Sequence, residues 1–201
     1  MRTTFIPPSV LKHQKVTAVM PKSRSVAIIY GLNEGPFMGR KLVAALRKAG
    51  HLVVNDPREA DVVIAHSGGC FIVPQPRAGQ RVIMIGLPYW PGRSILRNLY
   101  RKTRQDLRTH HAEGELAYWL RKTLWNAVYF WNIPSAVRMA VGRSRGVFWT
   151  YRGVTVVRYS HDSMCTPDLT SLPFVHRPVL EELPGQHDDC WRRPDPIVNS
   201  I

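Results

Sequence analysis

Acidic residues are scarce in this chain. Only 14 Asp and Glu stand against 28 Lys and Arg among 201 residues, a formal charge of +14 at pH 7. A net charge of that size attracts anionic surfaces, phospholipid headgroups and nucleic acid alike, without selecting between them. Cysteine is also sparse: Cys70, Cys165 and Cys190 are odd in number and lack CxxC spacing, which argues against a disulfide framework or a zinc site and implies reduced thiols. His110 and His111 are adjacent rather than a helical turn apart, and Asp188, Asp189 and Cys190 form an unspecific cluster, so no metal and no cofactor is expected. No apolar run reaches the roughly 18 residues needed to span a bilayer. The start, Met1 to Pro8, lacks the apolar core of a secretory signal, so the expectation is a soluble, cytoplasmic protein. Internal repeats, low-complexity tracts and recognisable nucleic-acid-reading motifs are missing too.

What is present fits one domain with a full core: 44% of the residues are hydrophobic and 21% charged. Residues 1–24 are rich in Pro, Ser, Thr and basic residues, and read as a basic N-terminal extension with at most a marginal strand at Val16–Met20. From Ser25 onward, residues 25–201 read as a single domain. Short β-branched runs recur at Val26–Tyr30, Leu52–Asn55, Asp61–Ala65, Val82–Ile85, Val154–Arg158 and Val179–Leu183. Unbroken apolar strands of this kind suit an α/β fold, a mostly parallel sheet with helices on both faces. Phe37–Ala49 carries helical spacing and meets Gly50 where a helix would stop. Asp56–Ala60 leaves only five residues for the next connection, where a parallel crossover normally takes about a dozen. Either the strand before it is very short or the crossover has lost its helix. Residues 89–145 form an insertion with helical patterns at Ile95–Leu107, Leu116–Phe130 and Ser135–Val141, read as a helical cap over the sheet's edge. Between residues 91 and 145, 11 Lys and Arg face three acids, so this stretch carries +8 of the net charge. Pro194–Ile201 closes the chain as a possible final helix.

The stretch richest in chemistry is the apolar run from Asp61 that enters Ala65-His66-Ser67-Gly68-Gly69. A sharp strand-to-helix turn that presents a serine needs small residues two before and two after it, and Ala65 and Gly69 meet that need. Further on, Val154–Arg158 leads into Tyr159-Ser160-His161-Asp162, with Pro167 beyond, and Val179–Leu183 leads into Pro184-Gly185-Gln186-His187. The early loop Tyr30-Gly31-Leu32-Asn33-Glu34-Gly35 also follows a strand.

In that order these pieces resemble the α/β-hydrolase superfamily over about residues 25–201, as a small esterase- or lipase-like member. Two departures are plain: Ala65 stands where glycine is usual, and Tyr30 where the family's early loop has histidine. The resemblance implies a catalytic triad of Ser67 as nucleophile, Asp162 as acid and His187 as base. It also implies an oxyanion hole formed by the backbone N–H groups of Leu32 and Gly68. Asp168 rivals Asp162, since Pro167-Asp168 suits the start of a helix. His176 is the other base, next to Arg177-Pro178, and His66 is expected to point away from Ser67. The implied reaction is acyl transfer from a carboxylic ester or thioester, with a small acyl compound as substrate.

Around that site, cap residues Tyr118, Trp119, Trp125, Tyr129, Phe130 and Trp131 would roof an acyl pocket or simply pack the cap onto the core. The basic cap would suit an anionic membrane surface. Two further readings remain open at this point. One is a binding protein that kept the fold without catalysis; the other is a basic, nucleic-acid-associated protein in which the Ser67 turn is incidental.

Overall fold

In the computed structural model, residues 23–32, 34–89, 104, 124, 133–162, 164–165 and 168–201 are described. Six strands form one sheet: β1 (Ser25–Ile29), β2 (Leu52–Val54), β3 (Val62–His66), β4 (Arg81–Ile85), β5 (Val154–Tyr159) and β6 (Val179–Leu183). Every neighbouring pair is parallel, in the order β2-β1-β3-β4-β5-β6. Among the described residues the helices are α1 (Arg40–Lys48), α2 (Ile133–Arg145), α3 (Asp189–Arg192) and α4 (Asp195–Asn199), with 3-10 turns at Ser67–Ile72, Val147–Thr150 and Leu169–Ser171. Of the expected cap, the third helix is present as the longer α2; the helical patterns at 95–107 and 116–130, the six cap aromatics and the extension 1–22 lie outside the described residues. Among the described residues no helix is long and apolar enough to cross a membrane.

Alternating side chains of each strand sort into two cores, because successive residues of a strand point to opposite faces. On β3, Val62 and Ile64 join Leu42 and Leu46 of α1, Trp191 of α3 and Ile197 of α4. Val63 and Ala65 join Phe71, Met139 of α2, Phe148 and Tyr151 on the other face. With both faces covered, all five residues of β3 are buried, and this is why its sequence is an unbroken apolar run rather than an alternating one. β6, at the sheet's edge, keeps two exposed and one partly exposed residue among its first three positions, and its sequence carries Glu181 and Glu182.

α1 ends as its sequence suggests. The His51 N–H donates to the Leu46 carbonyl and the Gly50 N–H to the Arg47 carbonyl, both at 3.0 Å, and Gly50 sits at φ 86°. This is the paired closing bond of a Schellman motif, for which a left-handed glycine is suited.

The short connection after β2 has a geometric explanation. β2 and β3 are not neighbours but flank β1: Val54 pairs with Ala27 on one side while Val62 pairs with Val26 on the other. The chain therefore leaves β2 and enters β3 at nearly the same level of the sheet. It has to travel sideways over one strand, roughly 10 Å, and not back along a full strand length. Asp56 shapes the turn, its side chain accepting from the Arg58 N–H at 2.8 Å. Both alternatives raised by the sequence hold together: β2 has three residues, and no helix covers the crossing.

The chain turns outward from β1 to β2 on one side and runs on from β3 to β4 on the other, so the strand order reverses between β1 and β3. The carboxyl edge at such a reversal is the usual ligand position in an open parallel sheet. Leu46 is fully buried under this sheet, and Leu46→Ala is expected to lower the unfolding free energy by about 2–5 kcal/mol, read from the urea midpoint at unchanged slope.

Candidate active site

Ser67 begins the 3-10 turn directly after β3, and its φ of 51° makes it the only non-glycine residue with positive φ among the described residues. Such a conformation costs of order 1–3 kcal/mol and persists where the surroundings over-determine it. They do so by close approach. A Cβ on Gly69 would stand 2.7 Å from the Ile29 carbonyl oxygen, and one on Gly31 2.9 Å from the Ser67 Cβ. The β1 loop and the turn after β3 therefore touch backbone to backbone, which only glycine allows. The Leu32 amide nitrogen lies 3.6 Å from where a Gly68 Cβ would be, so the two backbone donors named from the sequence are side by side. Over them lies α2, whose Met139 Sδ is 2.8 Å from that same point.

The acid and base loops follow β5 and β6 at the same edge of the sheet. His187 Nδ1 and Asp162 Oδ2 are 2.7 Å apart, and both residues are buried. Asp162 also accepts from the Met164 N–H at 2.8 Å and from the Cys165 thiol at 3.2 Å. Burial alone would push this carboxyl up, but the His187 ring and these two donors outweigh it and hold it below its ordinary value. An ionised Asp162 fixes the proton on His187 Nδ1 and leaves Nε2 as the basic nitrogen. Gly185, at φ 133°, gives the base loop its turn, and the Gln186 N–H is held by Asp189 at 2.9 Å. No hydrogen bond joins Ser67 to His187 among the described residues.

The rivals are engaged elsewhere. Asp168 caps the 3-10 turn at Leu169–Ser171, accepting from the Thr170 N–H at 2.9 Å. His176 accepts from Arg152 Nε at 3.2 Å. The three cysteines are free and buried. Among the described residues two groups of potential metal donors occur, His66 with His187 and Asp188, and Asp162 with Cys165 and His187, but the second group's own atoms are bonded to one another across the Asp162 carboxylate.

Three residues of this region went unread in the sequence. Gly86, after β4 at φ 59°, forms the floor under the acid–base pair: a Cβ there would meet His187 Nδ1 at 2.8 Å and Asp162 Oδ2 at 3.3 Å. A glycine directly after a buried strand was the available signal. Met139 gave none, being one apolar residue of a helix. Glu34 is the third. Its carboxylate, with a side chain 8% exposed, accepts from the Gly31 N–H at 2.7 Å and lies 2.8 Å from His66 Nδ1. His66 does turn away from Ser67, but its Nε2 reaches the His187 carbonyl oxygen at 2.8 Å. Since both ring nitrogens face oxygen acceptors, the ring carries both protons and is cationic. Burial disfavours that charge, yet Cys190 and Glu34 beside the ring outweigh it and raise the His66 value well above histidine's ordinary one. For Glu34, burial pushes upward and His66 outweighs it, leaving the value lowered.

No protein-family model and no curated protein sequence matches this chain. Solved structures do match. The thioesterase domain from the curacin biosynthetic pathway superposes with a TM-score of 0.57 at 12% identity, over 89% of this chain and 91% of that one. Cfl2 from Burkholderia cenocepacia gives 0.56 at 13%, over 89% and 87%. The enol-lactonase from Burkholderia xenovorans gives 0.54 at 12%, over 90% and 91%. The chain has the α/β-hydrolase fold. At these identities the likeness speaks for architecture, and an α/β-hydrolase fold hosts many activities, so function has to be argued from the site.

Two consequences are measurable. Gly86→Ala forces the His187–Asp162 pair apart or out of plane, and is expected to cut any Ser67-dependent reaction by about 100-fold while leaving circular dichroism unchanged. Stability carries a second signature. A lowered Glu34 value contributes stability above its unfolded value near 4.3, lost as pH falls through the folded value; a raised His66 value contributes below about 6.5, lost as pH rises through the folded value. Wild-type stability minus that of Glu34→Gln is therefore expected to peak between about pH 4.3 and 6.5 and to shrink on both sides in urea titrations.

Proposed function

We propose that this protein is a serine hydrolase that cleaves a carboxylic ester or thioester of a small acyl compound through an acyl-enzyme. The observation that carries this reading is the buried His187–Asp162 bond of 2.7 Å at the same sheet edge as a serine held at φ 51°. A strained, small-flanked serine after a central strand and an oriented histidine are the parts acyl transfer needs.

In this reading His187 Nε2 takes the Ser67 hydroxyl proton as Oγ forms its bond to the acyl carbon. The carbonyl electron pair moves onto oxygen, where the Leu32 and Gly68 N–H groups donate to it. The first N–H groups of a helical turn have no partner within that turn, which leaves Gly68 free to donate. Collapse of the tetrahedral intermediate expels the alcohol or thiol, which takes the proton from His187. Water then attacks the acyl carbon, giving its proton to His187 Nε2, and the acid departs as the proton returns to Ser67 Oγ. Asp162 remains ionised throughout and stabilises the imidazolium. The serine–histidine contact is commonly loose in a ligand-free hydrolase and tightens around substrate. The expected cap residues 118–131 lie outside the described residues, and at 12–13% identity the neighbours' own substrates stay with those proteins.

A fluorophosphonate probe tests the reading, because only an activated serine reacts with it at an appreciable rate. Mass spectrometry is expected to place the adduct on Ser67, with labelling abolished in Ser67→Ala and reduced by about 1,000-fold or more in His187→Ala and Asp162→Asn. A folded wild-type protein that takes up no probe would overturn the proposal, and a competing adduct elsewhere would relocate the nucleophile.

A further inference from the structure

The pair formed by Glu34 and His66 has no step in that mechanism, yet it is buried and hydrogen-bonded to two other loops next to the site. Glu34 holds the Gly31 N–H, one residue before the proposed oxyanion donor Leu32, at 2.7 Å. It holds His66 Nδ1 at 2.8 Å, and His66 Nε2 holds the carbonyl of His187 at 2.8 Å. His66 is itself the residue before Ser67. One buried carboxylate–imidazolium pair thus ties together three loops that come from β1, β3 and β6, with 32 residues between Glu34 and His66 and 121 between His66 and His187. The His66 ring is further fixed by the edge of Trp191, centroids 5.0 Å apart, and Trp191 stacks on Tyr30 at 5.4 Å, at the root of the oxyanion loop.

We propose that Glu34 and His66 are positioning residues, a buried ion pair that sets the distance between the oxyanion donors and the catalytic base. The inference rests on the serine-hydrolase reading above. The physical argument is one of freedom. The β1 loop and the β6 loop share no strand pairing, because β1 and β6 stand four places apart in the sheet. A cross-link between them acts where loops alone leave play, and misplacement by about 1 Å can cost on the order of 100-fold in rate. Titratable groups that face the pair include Tyr30, Cys70, Cys190, His187 and Asp188. Burial makes breaking it from one side expensive, since the remaining charge has no replacement partner.

The test compares fluorophosphonate labelling of wild type, Glu34→Ala, Glu34→Met and Glu34→Gln, each recorded as a rate constant and as a final labelled fraction. The labelled fraction counts folded molecules, while the rate constant reports how those folded molecules hold their groups. Gln keeps an oxygen for the Gly31 N–H and an N–H for His66 Nδ1, so that a neutral His66 still donates to His187. Its rate constant is expected within about 3-fold of wild type. Ala and Met remove both bonds, and their rate constants are expected to fall by about 10- to 100-fold at an undiminished labelled fraction. Met fills the glutamate's volume and serves if the Ala variant does not fold. Wild-type rate constants in Ala or Met would overturn the positioning role, as would a loss confined to the labelled fraction, which marks a purely structural pair. Absence of a Ser67 adduct in wild type would instead remove the reading on which the inference stands.

Discussion

A serine held in the left-handed region is the constraint around which the rest is arranged. Ser67 gains nothing locally from φ 51°; a non-glycine residue pays of order 1–3 kcal/mol to be there. The payment is enforced from outside. β3 is hydrogen-bonded on both sides, to β1 and β4, and every one of its residues is buried. Its last residue, His66, is pinned by both ring nitrogens. The chain therefore enters the turn along a fixed direction, and the close backbone contacts at Gly31 and Gly69 leave it one way out.

The sequence made the strands, the glycine stop of α1 and the serine turn legible because each is encoded within a few neighbouring residues: an apolar run, a Gly after a helical stripe, small residues around a serine. The loops after β5 and β6 were legible for a similar reason, as a strand followed by a turn with Asp162 or His187 in it. Asp162 was separated from Asp168 only by three-dimensional partners, the His187 ring for one and the Thr170 backbone for the other. The short crossover looked anomalous because sequence distance says nothing about strand order; with β1 lying between β2 and β3 and the ends nearly level, the anomaly disappears. Glu34 and Gly86 were illegible as site residues. Their importance lies in contacts of long sequence separation, Glu34 with His66 and Gly86 with the pair from the β5 and β6 loops.

Placing two acid–histidine pairs side by side raises the question of how their roles stay distinct. The rings of His66 and His187 are 4.7 Å apart, close enough that both would compete as bases if their surroundings were alike. They are not alike. His66 has an oxygen acceptor at each nitrogen, so accepting a proton from elsewhere is closed to it. His187 has its carboxylate on Nδ1 alone, and the proposed mechanism uses the other nitrogen. Hydrogen-bond saturation of one histidine and half-saturation of the other separates them: His66 holds backbone in place through both nitrogens, and in the proposed mechanism it is His187 that exchanges the proton. The same division explains why Glu34 and Asp162, both buried carboxylates held below their ordinary values by a histidine, serve different ends. Glu34 spends its remaining acceptor capacity on the backbone of the β1 loop, whereas Asp162 spends its own on the Met164 N–H and the Cys165 thiol of its own loop. Glu34 joins the loop after β1 to the end of β3, and Asp162 joins the loop after β5 to the β6 loop that carries His187.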